Sequence, residues 1–260
     1  MDSPDIKSCV NKELEHCNSK KIFEIIAKAK FGDGYEEEIK KIAIDFSELK
    51  QEKFSADGLV HDINFATQLG LTVDSQVLQD DLYYGEQNDY NLKIRKTTGY
   101  NGDFFIAIYK KVDDNGNLNI IAFDIPKKIH SEIRDRFKNI MHIRKIRTTY
   151  KSNLGVDVTC DSGISFLSDN GKYFRTSIPN LEKDQDIEVH KRDFGKEIWE
   201  ISCVNNKLLD EYHEMKNKVL AYKNKNGKTL EPMGIEGYAD FIVKILPETD
   251  FGMVNRRIGS

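Results

Sequence analysis

Proline, cysteine and tryptophan are all scarce in this chain, at 5, 4 and 1 of 260 residues. So little proline excludes a polyproline or collagen-like rod. The cysteines, Cys9, Cys17, Cys160 and Cys203, form no C-x-x-C pair. That excludes a zinc ribbon and a disulfide-stapled secreted scaffold, and it fits free thiols in a reducing compartment. Long apolar runs are missing as well. Phe104 to Tyr109 is among the densest, and a bilayer crossing takes about 18 apolar residues or more. The start, Met1 to Val10, carries Asp2, Asp5 and Lys7 and has no apolar core of the secretory kind. The expectation is a soluble cytoplasmic protein with no membrane partner. No G-x-S-x-G, Walker loop, G-x-G-x-x-G or H-E-x-x-H occurs, which disfavours the hydrolases, NTPases, dinucleotide enzymes and zincins that carry those motifs.

What is present is an ordinary globular composition, 39% apolar and 32% charged. Ile22, Phe23, Ile25, Ile26 and Ala29 recur at helical spacing, and Phe31-Gly32-Asp33-Gly34 stops them. A second helix is expected over Tyr35 to Lys50, with Glu36, Glu37 and Glu38 in its dipole-favoured first turn. Phe54 to Leu71 reads as a short helix with loops. From Tyr90 the period drops to two, and Tyr90 to Thr97, Asp103 to Val112 and Leu118 to Ile125 make an antiparallel meander turning at Asp113-Asp114-Asn115-Gly116. After Pro126 a helix is expected to run to about Arg147, on the stripe Ile129, Ile133, Phe137, Ile140 and Met141. Strands follow at Val156 to Cys160, Gly163 to Leu167, Lys172 to Ile178, Ile187 to His190 and Glu197 to Val204. Turns fall at Ser168 to Gly171 and Phe194-Gly195. A polar helix over Asn206 to Lys223 and an apolar stretch at Tyr238 to Leu246 close the chain. No internal repeat is read. The fold class is α+β, with a central mixed, mostly antiparallel sheet, flanking helices in an αβββαβ core and a β-rich C-terminal half. Residues 1–260 read as one compact domain, with a cut between 1–151 and 152–260 as the alternative.

Charge is the other feature. The net charge is −4, yet Lys127 to Lys151 holds nine basic side chains, Lys127, Lys128, Arg134, Arg136, Lys138, Arg144, Lys145, Arg147 and Lys151, against Glu132 and Asp135. Such a run makes a local positive field, and basic groups that neutralise phosphates supply most non-specific nucleic-acid affinity. Tyr150 adds an aromatic able to stack on a base. The alternative is a solvated face balanced by acidic neighbours such as Asp80, Asp81 and Glu86.

The order helix, three antiparallel strands, helix, strand over Tyr35 to Cys160 resembles the core of the PD-(D/E)XK nucleases, the superfamily of many restriction endonucleases. The resemblance implies a DNA-cleaving, Mg²⁺-dependent hydrolase working as a symmetric homodimer. Asp103, opening the second strand, and Asp124, near the end of the third, would hold the metal. Lys127 or Lys128 would orient the attacking water after a kink at Pro126. Arg134, Arg136, Lys138, Arg144, Lys145, Arg147 and Lys151 would contact DNA phosphates. Two readings from other classes stand beside it: a non-catalytic nucleic-acid-binding or regulatory protein using the basic segment 127–151, and a module that docks that segment on an acidic protein.

Overall fold

A computed structural model describes residues 17–45, 49–59, 62–85, 90–112, 118–137, 139, 141–168, 173–175, 196–204, 208–223, 227 and 229–233. The chain divides into two units that interleave in sequence, residues 1–48 with 78–144 and residues 49–77 with 145–260. The dividing points therefore differ from a single cut after residue 151.

In the first unit, helix α1 (Ser19–Phe31) starts where the Asn18 side chain accepts the Lys21 N–H at 2.9 Å, and it stops at Gly32, whose φ of 79° suits a residue without a Cβ. A single 3₁₀ turn leads into α2 (Tyr35–Ile42), which carries Glu36 to Glu38 in its first turn. The sheet runs in the order β1 (Ile44–Asp45), β6 (Leu118–Asp124), β5 (Gly102–Val112), β4 (Leu92–Gly99) and β3 (Leu71–Tyr84), followed by the start of β7 (Met141–Ser152). The register pairs Ile94 with Ala107 and Ala107 with Phe123. Side chains directly opposite point the same way, so Ile94, Ala107 and Phe123 share one face. Ile22, Phe23 and Ile26 of α1, with Ile129 and Ile133 of α4 (Lys127–Arg136), belong to the same buried cluster. Phe23 stacks on Tyr109 at 4.4 Å. Sequestering one such side chain is worth about 1.5–3 kcal/mol.

In the second unit the sheet order is β8 (Asp157–Ser168), β10 (Lys196–Val204), β2 (Leu49–Asp57) and β11 (Glu231–Pro232), with β9 (Tyr173–Arg175) also on β8 and the end of β7 beside β8. Trp199 pairs with both Cys160 and Phe54, and its ring is covered by Tyr150 at 5.3 Å and edge-on Phe65 at 4.7 Å. Phe65 lies on α3 (Ile63–Gln68), capped by Asp62, which also accepts the Tyr222 hydroxyl at 2.8 Å. Tyr212, Met215 and Val219 of α5 (Leu209–Ala221) complete this core.

Every described strand pair with a stated register is antiparallel, so the chain has the expected α+β class with a β-rich C-terminal half. The meander lies where expected. Four expectations need correction, the first being that Val156 to Cys160 and Gly163 to Leu167, expected as two strands, belong to one strand, Asp157–Ser168. The helix over Tyr35 to Lys50 stops at Ile42, because Ala43 is extended and Leu49–Asp57 is a strand. Phe54 to Leu71 holds the expected short helix, Ile63–Gln68, but begins as the end of the strand Leu49–Asp57, and the fourteen-residue strand Leu71–Tyr84 follows, for which the sequence supplied no expectation. The basic helix ends at Arg136, and Met141–Ser152 is a strand. Met141, Ile143 and Lys145 are buried while His142 and Arg144 are not, a period of two, and β-branched Ile143, Ile146, Thr148 and Thr149 favour it. The turns at Asp113 to Gly116 and Phe194-Gly195 and the segments Ile187 to His190 and Tyr238 to Leu246 lie outside the described residues, as does Asp169 to Gly171 of the Ser168 turn.

Candidate anion site

The second unit places a lysine and an arginine two residues apart on β7, so both lie on one face of the strand. On the neighbouring β8, Asp161 receives both. Lys145 Nζ donates to Asp161 Oδ2 at 2.6 Å, Arg147 Nε donates to Oδ1 at 2.7 Å, and Arg147 Nη2 donates to Oδ2 at 2.8 Å. The side chains of Lys145 and Asp161 are 2% exposed and that of Arg147 is 19% exposed. Burial pushes the Asp161 carboxyl up, but Arg147 and then Lys145 outweigh it and hold the group far below the usual carboxylate range. The fork commits two of the five guanidinium N–H donors to the carboxylate and fixes the plane of the group.

The same face continues across the unit. Thr159 lies two residues before Asp161 on β8. Ile198 stands opposite both Asp161 and Ser55, and Glu200 stands opposite both Thr159 and Lys53. The Thr159 hydroxyl is buried and has no hydrogen-bond partner among the described residues.

The first unit repeats the motif. Lys93 and Arg95 on β4 meet Asp81 of β3, whose register partner is Arg95. Arg95 Nε and Nη2 donate to Asp81 Oδ1 and Oδ2 at 2.6 and 2.7 Å, and Lys93 Nζ donates to Oδ2 at 3.4 Å. Gln79, two residues before Asp81, has a buried Oε1 without a partner. Asp81 and Asp161 were not singled out as functional residues by sequence reasoning. A signal existed: Lys-Ile-Arg occurs at 93–95 and again at 145–147, with threonine close behind each time at Thr97 and Thr148. Two short matches in otherwise unlike strands fall below what a search for repeats of domain length registers.

The residues expected to act as a nuclease centre are not brought together. Asp124 pairs with Ile106 and shares its face, whereas Asp103, three residues before Ile106, projects from the opposite face about 10 Å along the strand. Asp103 instead accepts the Thr98 hydroxyl at 2.7 Å and pairs with Lys96 at 3.1 Å. That hydrogen bond and then Lys96 hold its carboxyl below the ordinary range. In this register Asp103 and Asp124 lie on opposite faces of the sheet. Among the described residues no group of three or more His, Cys, Asp and Glu is placed to hold a metal ion. Lys127 and Lys128 are exposed in the first turn of α4, Lys128 lying 3.9 Å from Glu132. Of the expected DNA contacts, Arg134 lies 3.2 Å from Asp135, Lys151 lies 2.6 Å from Asp74, and Arg136 closes α4. Arg144 and His142 both reach Asp80 Oδ1, at 2.8 and 3.0 Å. Burial raises the Asp80 carboxyl, and the bonds from His142 and Arg144 more than reverse it. Lys138 lies outside the described residues. The expected basic face is thus divided: α4 carries one part, and each face of β7 carries another. No described helix is long and apolar enough to cross a membrane.

No family model matches the sequence, and no curated protein matches it. Solved structures are similar to it at low identity. The PH1819 protein of Pyrococcus horikoshii OT3 is 15% identical, with a TM-score of 0.45 over 75% of this chain and 99% of that one. A Hippeastrum protein studied as a candidate adenylyl cyclase, with a dominant triphosphatase activity, is 12% identical, with a TM-score of 0.44 over 77% of this chain and 97% of that one. A Bacillus halodurans adenylate cyclase candidate is 13% identical, with a TM-score of 0.37 over 68% and 96%.

Proposed function

We propose that this chain binds a compact, multiply charged phosphate anion, of the inorganic triphosphate or nucleoside triphosphate class, on the sheet face that carries Lys145 and Arg147. The observation that carries the reading is the arginine fork. A guanidinium anchored on a buried carboxylate is held in one orientation, and its planar shape matches phosphoryl oxygens. Depth selects the ligand class. A duplex backbone meets basic groups on an open surface, but Lys145 is almost fully enclosed, and only a small anion reaches such a group. Low exposure also strengthens each ionic contact relative to one in water.

Titration calorimetry at low salt, with inorganic triphosphate and ATP, each with and without Mg²⁺, tests the reading. The wild-type chain is expected to retain the anion and Arg147→Met to lose at least tenfold in affinity, as removal of a charge-assisted bond implies. No retention of either anion at low salt overturns it. Metal-dependent cleavage of DNA is the activity that the nuclease reading of Asp103 and Asp124 expects. Plasmid incubated with the protein and Mg²⁺ reports that activity, and retarded but uncut DNA would favour the non-catalytic nucleic-acid binder.

A further inference from the structure

The Thr159 hydroxyl is a buried polar atom with no hydrogen-bond partner among the described residues, on the strand face that carries Asp161. Its strand neighbours Val158 and Cys160 point into the apolar core of the second unit, so the alternation of β8 directs Thr159 to the other side, with Asp161. Leaving a hydroxyl unbonded in a buried place is unfavourable, and valine, of the same shape and with high strand propensity, would avoid it. A threonine here is accounted for by a partner that arrives from outside the chain.

We infer that Thr159 is a ligand-contacting residue whose hydroxyl donates a hydrogen bond to an oxygen of the anion held at Lys145 and Arg147. This rests on the reading of that face as an anion site. A hydroxyl both donates and accepts, and beside an anion it acts as donor.

The test measures inorganic triphosphate binding and thermal stability for the wild type, Thr159→Val and Thr159→Ser. Thr159→Val is expected to bind about tenfold more weakly, with a Tm no lower than that of the wild type, and Thr159→Ser to keep wild-type affinity. Equal affinity of the wild type and Thr159→Val overturns this inference alone. A Thr159→Val protein that unfolds also overturns it, because the hydroxyl would then be bonded within the protein. A wild type that binds no triphosphate removes this inference together with the anion reading.

Discussion

The two Lys-Ile-Arg strands hold the same three side chains in opposite order of depth. In the first unit the arginine is the deeper cation, Arg95 at 10% exposure against 18% for Lys93, and the lysine stands 3.4 Å from the Asp81 carboxylate. In the second unit the lysine is deeper, at 2% against 19% for Arg147, and stands 2.6 Å from Asp161. The guanidinium is bidentate in both. A compact ammonium is strongly hydrated and loses more on burial than a delocalised guanidinium. The second unit therefore depends more heavily on its carboxylate, and the first keeps its lysine in partial contact with water.

Substituting the carboxylates breaks that comparison most directly. Asp161→Asn leaves an enclosed ammonium beside a neutral amide and is expected to cost about 3–5 kcal/mol, the range for opening a buried pair. Asp81→Asn is expected to cost less, near the low end of that range, since Lys93 has water to turn to. The chain has a single tryptophan, and Trp199 is buried in the core of the second unit. Its fluorescence in a urea titration therefore follows that unit, while hydrogen exchange of the β4 and β5 amides follows the first. A Trp199 transition that moves no further for Asp161→Asn than the β4 and β5 protection moves for Asp81→Asn would remove the distinction.

The history of these carboxylates in the sequence shows where reading it succeeds. The meander was legible because Leu92 to Arg95 alternates apolar with charged side chains and Phe104 to Tyr109 is a short apolar run bounded by turn residues. Strands β3 and β7 were not. Leu71 to Val77 carries five successive exposed residues, Thr72 to Gln76, and so shows neither period. Met141 follows Phe137 at helical spacing, so the stripe of α4 continues into β7 without a visible break. Reading β7 as a helix scattered its charges on the wrong faces. As a strand, one side takes His142 and Arg144 to Asp80 and the other takes Lys145 and Arg147 to Asp161. Asp80 and Asp81 had been read as acidic neighbours of the basic run, and Asp80 does pair with Arg144. Adjacent residues on a strand face opposite ways, which is why Asp81 takes a separate partner, Arg95. Asp103 and Asp124 depended on register, which no motif in the sequence specified.

Acid should separate the two units next. In the first, His130 packs against Phe105 at 4.7 Å, and burial, then Arg134 and Lys96, hold its imidazole below the ordinary value of 6.5. The folded state binds fewer protons than the unfolded one, so stability is lost as pH falls below about 6.5. In the second unit the Asp161 carboxyl lies below its ordinary 3.8. Its contribution is complete above that value and declines only as pH falls further. Between about pH 4 and 6 the first unit is therefore expected to lose exchange protection while Trp199 emission keeps its native wavelength. His130→Phe should abolish the loss. A Trp199 transition that begins at pH 6 together with the first unit would sink this ordering.

A further contrast concerns two glycines in the left-handed half of backbone space, one in each unit. Gly102, φ 105°, opens β5, and a Cβ there would meet nothing within 4 Å. Gly102→Ala is charged only with backbone strain, about 1–2 kcal/mol. Gly70, φ 64°, precedes β3 and accepts the Asn153 N–H at 3.1 Å, and a Cβ on it would lie 2.5 Å from Asn153 Cγ. Gly70→Ala therefore carries the same strain together with a clash worth about 1–3 kcal/mol more. The clashing atoms all belong to the Asn153 side chain, so Asn153→Ala in the Gly70→Ala background should recover the clash and leave the strain. Urea midpoints of the four proteins decide it. Recovery to the level of Gly102→Ala assigns the difference between the units to one side chain, and no recovery assigns it to the backbone joined by the Asn153 N–H.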